Sequence, residues 1–439
     1  MSPKILTCIT AMTVFAMPAI PARLAAQDQQ EHDKRQARYT VINLGTLGGT
    51  ESGANGINNK GWVTGYSNLQ GDQSEHAVLW RKGEITDLGT LGGPTSVAWP
   101  LKDDQGLITG FADTANIDPF DENFCSPTCT PGVNCQGSNL TCRGFLWRNG
   151  TMTNLATLGG NNSYATDINK WGQVVGTAEN ATQDPNCVAP QVLDFETVIW
   201  GPKAGEIQEL HPFPGDTVGG AFAINNKSQV VGGSGTCGTP SPAICVHAVL
   251  WENGSVTNLG SFGGVMNNAA FGINNQGQVV GLSDLTGDNT AHAFLWQNGV
   301  MTDLGTLPGD VFSIAQGIND AGQVVGQSCD ASGNCRAFLW ENGGMTDLNS
   351  LIPPGSSLYL LGANDINSQG EIVGVAFDQD TGATPAFSAT PNYEDNNEAA
   401  FSATQIGTDA PKVILPENVR KLLQQRRGFG RSGGPTRPQ

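Results

Sequence analysis

Short apolar runs, each bounded by Gly, Asn or Asp, recur along residues 39–389. In residues 260–304 these runs are Ala269–Ile273, Gln278–Gly281, Ala293–Trp296 and Met301–Leu304. Runs this short between turn residues predict β-strands rather than helices. Asn298-Gly299 between the last two suits a two-residue hairpin, because both central residues of that turn need positive φ. Each unit therefore predicts four antiparallel strands.

The unit occurs seven times. Its most visible motif is Ile-Asn, a tight turn, and then Gly-Gln-Val-Val-Gly. The spacing of 45 to 66 residues suits a four-stranded propeller blade and is too long for a solenoid rung. The Asn or Asp that follows the Ile position is expected to cap local backbone groups of the turn. In chain order these residues are Asn58, Asp103, Asn169, Asn225, Asn274, Asn319 and Asn367.

The two ends of the array complement each other. Asn43–Gly49 matches Asp87–Gly93 almost residue for residue, so Tyr39–Leu44 is a fourth strand without the first three. The last unit has three strands, at about 363–366, 371–376 and 385–389. Pairing of residues 39–44 into the last blade closes the ring and removes both sheet edges. The predicted fold is all-β, a seven-bladed β-propeller over residues 39–390.

Composition and charge narrow the class of partner. Glycine makes up 58 of 439 residues and charged residues only 14%, as expected for a turn-rich β protein. Residues 39–411 carry 10 Lys/Arg and 36 Asp/Glu, a net charge of −26 that repels phosphate and excludes sequence-independent nucleic-acid binding. Residues 391–439 form a tail with a predicted basic helix at about 416–427, and residues 412–439 have a net charge of +6. This helix is expected to dock on the acidic body, to meet an anionic surface or to remain solvated.

The first residues have the pattern of a secretory signal. Lys4 precedes an apolar run to Ile20, and the small residues Ala25-Ala26 suit a cleavage site, so residues 1–26 are predicted to be a signal peptide. Residues 27–38 are polar and predict a disordered spacer. No other segment has the length of a membrane span. The mature protein is therefore expected to be secreted, extracellular or periplasmic.

Three units contain a motif that resembles a known repeat: His76–Trp80, His247–Trp251 and His292–Trp296. With the flanking Gly-Gln-Val-Val-Gly and Leu-Gly-Thr-Leu-Gly-Gly strings, the chain resembles the HAF-repeat family of secreted bacterial proteins. Other units depart from it, with Arg143, Glu196, Arg336 or Pro385 at the His position. The resemblance implies secretion and repeat architecture and no defined activity. Because the position recurs around a ring, the structural interpretation is favoured over a metal- or anion-binding rim.

Nine cysteines remain after the signal, and an exported protein favours disulfides over metal sites. Two pairs flank single loops and are expected to staple them: Cys237 with Cys245, and Cys329 with Cys335. The other five are left without assigned connectivity, with a cross-blade bridge of Cys187 as one alternative and one thiol left over. A zinc site is the less favoured alternative for the blade 2 cluster. These five are Cys125, Cys129, Cys135, Cys142 and Cys187.

Elaboration of the repeat is one-sided. Connections between second and third strands are long at about 113–141, 177–195, 235–245 and 328–335, whereas the other connections are tight. In a meander these long loops share one face with the inter-blade crossovers. We call this the decorated face and the opposite one the plain face, and the decorated face is the expected binding site. Its candidate binding acids are Asp118, Asp121, Glu122, Asp184 and Asp194.

These acids leave two classes of function open. The favoured one is a non-catalytic propeller that binds an extracellular glycan or protein, with no catalytic or metal site assigned. The alternative is a secreted hydrolase or lyase that cleaves polysaccharide or peptide with acids of the blade 2 and blade 3 loops. Calcium is a further alternative, because Asp378–Gly382 resembles a calcium loop. No cofactor is predicted, and the oligomeric state is left open.

Overall fold

The computed structural model describes residues 37–101, 106–122, 125, 139–187, 191–237, 246–392 and 412–427. The predicted signal peptide and nearly all of the spacer lie outside these residues, as do Asp103, Cys129, Cys135 and Cys245. The described strands form seven separate four-stranded antiparallel sheets. The predicted seven-bladed β-propeller is therefore confirmed.

The blades follow one another along the chain, each with its innermost strand first. Blade 1 consists of β2 (Gly48–Ile57), β3 (Val63–Leu69), β4 (Glu75–Arg81) and β5 (Glu84–Asp87). Blade 2 consists of β6 (Gly92–Ala98), β7 (Ile108–Ile117), β8 (Leu140–Arg148) and β9 (Thr151–Asn154). Blade 3 consists of β10 (Gly159–Ile168), β11 (Val174–Gln183), β12 (Leu193–Trp200) and β13 (Ile207–Leu210).

The remaining blades keep the same order. Blade 4 consists of β14 (Val218–Ile224), β15 (Val230–Gly235), β16 (His247–Glu252) and β17 (Ser255–Asn258). Blade 5 consists of β18 (Gly263–Ile273), β19 (Val279–Leu285), β20 (Ala291–Gln297) and β21 (Val300–Gly305). Blade 6 consists of β22 (Phe312–Ile318), β23 (Val324–Cys329), β24 (Cys335–Glu341) and β25 (Gly344–Asp347). Blade 7 contains β26 (Leu358–Ile366), β27 (Ile372–Asp378) and β28 (Ala386–Asn392).

The N-terminal strand closes the ring. β1 (Arg38–Asn43) is the outer strand of blade 7, in the order β1-β28-β27-β26. Just after it, the backbone N–H of Leu44 donates to the carbonyl of Ala386 over 3.0 Å. The N-terminal strand thus completes the last blade and joins the two ends of the array, with β1 as the outer strand.

The recurrent glycine of the second strand permits close packing within a blade. A Cβ on Gly281 would lie 2.0 Å from the carbonyl oxygen of Ala269 and 2.9 Å from the ring of Phe294. Phe294 is fully buried, and it packs with Ala270 and Ile273 of its own blade and Ala223 of the preceding one. The Gly of the motif therefore makes room for an aromatic side chain that fills the space between blades.

The Asn of the Ile-Asn motif joins neighbouring blades as well as capping its turn. Asn274 Oδ1 accepts from the N–H groups of Gln276 at 3.0 Å and Gln278 at 2.9 Å, which is the predicted capping role. Its Nδ2 also donates across 3.0 Å to the carbonyl of Asn319 in the next blade. The same inter-blade bond is made by Asn169, Asn225, Asn319 and Asn367. These side-chain amides thus link five pairs of neighbouring blades at the plain face. The sequence pattern predicts the turn cap but not this inter-blade bond.

The described part of the chain contains one α-helix, α1 (Glu417–Arg427), which packs on the propeller. Leu415, Val419 and Leu423 are buried against Tyr359 and Phe377 of blade 7. No helix among the described residues has the length and apolar character needed to cross a membrane.

Candidate binding face

The decorated face carries long second-to-third-strand connections, but the strands extend further into them than predicted. In blade 2 the ladder continues through Asp113↔Cys142 to Ile117↔Leu140, so the connection is residues 118–139 rather than about 113–141. In blade 3 it continues to Gln183↔Leu193, which leaves residues 184–192. The bulges that precede these last pairs hid the extension, because they break the two-residue alternation.

Glu122 ties the blade 2 loop to blade 3. Its carboxylate is fully buried, and its Oε1 accepts from the backbone N–H groups of Val192 at 2.5 Å and Leu193 at 2.8 Å. Asp118, also buried, accepts from Asn162 Nδ2 of blade 3 at 2.9 Å. Both acids therefore tie the blade 2 loop to blade 3: Glu122 to the end of the blade 3 loop and Asp118 to β10.

Glu179 belongs to the same buried cluster. It is not among the binding acids predicted from the sequence. Its Oε2 accepts from the N–H groups of Asn161 at 2.9 Å and Asn162 at 2.8 Å. Burial, followed by the charge of Glu122, raises the pKa of Glu179 to about 7. Burial also raises the pKa of Glu122, and the charge of Asp118 adds to this. The pKa of both carboxyls is thus raised by burial and by neighbouring charge, and both side chains are closed off from solvent.

A sequence signal for Glu179 exists in the repeat. A Cβ on Gly160 would lie 2.4 Å from the Cβ of Glu179, and one on Gly264 would lie 2.3 Å from the Cβ of Asp284. In blades 3 and 5 the second Gly of the Gly-Gly pair therefore faces an acid near the end of the second strand, whereas in blade 1 Gly49 faces Asn68. This pairing is the sequence signal for both acids.

The other predicted acids do not join this cluster. Asp184 caps its own turn, with Oδ1 2.8 Å from the N–H of Asn186. Asp194 is buried in β12, and burial followed by the charge of Asp184 raises its pKa. Asp121 is exposed in a left-handed conformation, with φ of 57°. The five candidates therefore form no single open site.

Three disulfides join described cysteines, and one expected pairing is wrong. Cys237 pairs with Cys187 across blades 3 and 4, not with Cys245. The cross-blade bridge of Cys187 thus exists, but it runs to blade 4. The other bridges are Cys125–Cys142 in blade 2 and the expected Cys329–Cys335 in blade 6.

Two groups of candidate metal ligands lie among the described residues. Where side chains are described, the acids and cysteines compact enough for one ion are Asp184, Cys187, Asp194 and Cys237, and both sulfurs of this group are consumed by the disulfide. In the calcium-like turn, Asp378 accepts from the N–H of Asp380 at 3.2 Å and from Thr381 Oγ1 at 2.8 Å. Its carboxylate is thus occupied by its own turn.

The side chain at the His position of the HAF-like motif contacts a carboxylate within its own blade. His76 Nδ1 lies 2.9 Å from Asp87, and His292 Nδ1 lies 3.0 Å from Asp303. In blade 6, Arg336 takes this position and pairs with Asp347 at 3.0 Å. These contacts agree with the structural interpretation of the position.

The tail segment docks at the edge of the decorated face, on the five-residue loop closed by Cys329–Cys335. Lys412 Nζ lies 3.0 Å from Asp330, and the N–H of Leu415 donates to Asn334 Oδ1 over 2.9 Å. Arg420 donates to the carbonyl of Ser332 over 3.1 Å. Of the three expectations for the basic tail, contact with the acidic body is the one seen in residues 412–423.

Comparisons with known proteins assign no activity. No family model and no curated protein matches the chain. It is similar to a gluconolactonase from Xanthomonas campestris (11% identity, TM-score 0.31, 57% of this chain and 79% of that chain). It is also similar to a PQQ-bound aldose sugar dehydrogenase from Streptomyces coelicolor (10%, TM-score 0.35, 81% and 99%) and to a prolyl endopeptidase (9%, TM-score 0.45, 87% and 56%). With identities this low and TM-scores below 0.5, these proteins indicate neither substrate nor site here.

Proposed function

We propose that this protein is an exported, non-catalytic propeller of the HAF-repeat type that binds an extracellular glycan or protein through its decorated face. The observation that carries the proposal is the physical linkage of three adjacent loops. Glu122 joins the loops of blades 2 and 3, and Cys187–Cys237 joins those of blades 3 and 4. Long loops fixed to one another on a rigid scaffold form a preorganised surface, which lowers the entropic cost of binding a partner.

Export is supported by the signal pattern of residues 1–26 and by the disulfides. Three bridges in one chain are typical of an oxidising compartment such as the periplasm or the cell exterior. The HAF-like motifs support the same location.

The hydrolase or lyase alternative draws on Glu179 and Glu122, whose pKa values are raised as in catalytic acids. Against it stands their burial. Each carboxylate accepts two backbone N–H groups, and Glu122 is 0% exposed, so a substrate bond would have no access to it. General acid catalysis requires hydrogen-bond reach to the substrate.

Thermal unfolding of residues 27–439 with soluble polysaccharides and candidate secreted proteins tests the proposal, because a ligand that binds only the native state raises Tm. The variant to compare replaces residues 118–139 by the tight connection 286–290 of blade 5, together with Cys142→Ala, since Cys142 loses its partner. We expect a shift with at least one partner and its loss in this variant. A shift that survives the replacement, or new chain ends released from the polymer, would overturn the proposal.

A further inference from the structure

The exposed cations of the propeller lie on the plain face, opposite the decorated one. Of the ten Lys and Arg in residues 39–411, eight fall in connections between first and second or third and fourth strands, or at the ends of strands that lead into them. Antiparallel pairing places both kinds of connection on one face. One of the eight, Lys102, lies outside the described residues. The described ones are Lys60, Arg81, Lys82, Arg148, Lys170, Lys203 and Lys227, all exposed.

These cations are also concentrated on one side of the ring. Six of the seven belong to blades 1 to 3, and between Ser228 and Asn392 the chain has a single Lys or Arg, the buried Arg336. In blades 6 and 7 the plain-face connections carry acids such as Asp320, Glu341 and Glu371, and Arg38 at the start of β1 is the exposed cation of blade 7. A body with a net charge of −26 therefore keeps most of its exposed positive charge on blades 1 to 3, which we call the cationic sector.

Most of this charge is not used for ion pairs. Lys203 pairs with Glu206 at 3.5 Å, whereas Lys82, Arg148 and Lys170 have no carboxylate partner among the described residues. Internal neutralisation of the acidic body thus does not explain the position of these side chains.

Two tryptophans lie in the same sector, each with cations beside its ring. Arg81 lies 4.5 Å from the ring centre of Trp62, and Lys170 lies 4.5 Å from that of Trp171. Trp171 is 58% exposed, whereas every other tryptophan of the nine is buried or half-buried. Its indole N–H donates to the carbonyl of Asn226 over 2.8 Å, which fixes the ring at the surface.

The repeat does not require a tryptophan at position 171. The equivalent turn residue lies two positions after the Asn of the Ile-Asn motif, and it is polar or small in five other blades. A surface cation–π contact contributes little to stability, so it does not account for an exposed indole either. The residues at this position are Lys60, Lys227, Gln276, Ala321 and Gln369.

We propose that the cationic sector is a second binding surface, for an anionic polysaccharide whose sugar rings carry carboxylate or sulfate groups. An exposed, fixed indole offers a flat apolar face to the C–H side of a sugar ring, and nearby Lys and Arg pair with its acidic substituents. This goes beyond the decorated-face proposal, because it concerns the opposite face and a defined ligand chemistry. The overall negative charge limits contact with any polyanion to this sector, so the negative body leaves only this part of the surface for the polymer.

The test measures binding of the chain to immobilised polygalacturonate, to heparin and to neutral dextran at 0.05 M and 0.5 M NaCl. We expect binding to at least one of the two anionic polymers, little binding to dextran, and at least tenfold weaker binding at the higher salt concentration. Trp171→Gln, which introduces the residue of blades 5 and 7, should weaken binding about tenfold or more, and Lys170→Gln with Arg148→Gln should do the same.

Two matched controls separate the site from general effects. Val300→Gln removes an exposed apolar side chain from the plain face of blade 5, where Val300 is 64% exposed, and should leave binding unchanged. Lys421→Gln removes one positive charge from α1 and should also leave it unchanged. Equal binding to dextran, equal losses in the controls, or no binding to either anionic polymer would overturn the proposal, as would binding only to anionic lipid vesicles. Binding to the anionic polymer should be lost in Trp171→Gln and kept when the blade 2 loop is replaced. This result would distinguish the cationic sector from the decorated face.

Discussion

Blade 3 contains two acids where blades 1 and 5 contain a histidine and an aspartate. This difference predicts how the stability of the native state depends on pH. Glu196 occupies the position of His76 and His292, and Glu209 that of Asp87 and Asp303. Burial, then the charges of Glu209 and Asp194, raise the pKa of Glu196 to about 7. Its Oε1 accepts from Asn180 Nδ2 at 3.0 Å, while its buried Oε2 has no hydrogen-bond partner among the residues that the structure describes.

Proton linkage determines whether Glu196 stabilises the native state at low or at high pH. Its pKa is 4.5 in the unfolded chain and about 7 in the native state, so between pH 4.5 and 7 the native state binds the proton preferentially. Its stabilising effect is present at low pH and is lost as the pH rises through 7. A shift of this size, discounted for solvent screening, makes the native state about 2 kcal/mol less stable at pH 8 than at pH 5.

Glu196→Gln removes this titration while keeping an acceptor for Asn180. We expect the variant to be about 2 kcal/mol more stable than the parent at pH 8 and close to it at pH 5, as measured by urea unfolding with the disulfides intact. Glu196→His should also stabilise near pH 6, because it restores the histidine–carboxylate pair of blades 1 and 5. Exposed Glu84→Gln, which makes the same charge change, is the control. An unchanged pH dependence in Glu196→Gln, or an equal effect of Glu84→Gln, would refute the reasoning.

Three further predictions concern the scaffold. Asn274→Ala should destabilise by about 2–3 kcal/mol in urea unfolding, because two turn N–H groups and one inter-blade carbonyl lose their partner. Asn274→Asp should lose less, because it keeps the oxygen that accepts from both N–H groups. Cys187→Ser with Cys237→Ser opens a bridge that spans 50 residues and should cost about 2–4 kcal/mol, seen as a lower Tm; no change would mean that the loops are held by other contacts. Removal of residues 393–439 exposes Tyr359 and Phe377 and should increase binding of a hydrophobic dye, while Lys421→Gln should not.

The fold was predictable because its information is local and repeated. Each blade contains its own turn residues and apolar runs, and the match between Asn43–Gly49 and Asp87–Gly93 reveals how the ring closes. Seven copies of a weak pattern are together specific, although any one of them would not be. The strand ends were less predictable, since bulges interrupt the alternation near Ile117 and Gln183.

The site was less predictable because it depends on contacts between distant segments. Glu122 accepts hydrogen bonds from Val192 and Leu193, about seventy positions further along the chain. No local sequence pattern predicts such a contact. Cys237 pairs with Cys187 of the neighbouring blade, and the short spacing from Cys237 to Cys245 does not reveal this contact. The candidate acids lie in the blade 2 and 3 loops or beside them, and Asp118 and Glu122 are buried and bonded between blades rather than open to a ligand.

The central claim, a binding protein without catalysis, is tested most directly by one combined titration. Residues 27–439 are titrated with soluble polysaccharides by calorimetry, and the same samples are assayed for new reducing ends after long incubation. The account predicts saturable binding to at least one polymer with the polymer chains left intact. Polymer cleavage that disappears in Glu122→Gln or Glu179→Gln would contradict it and establish the enzyme alternative.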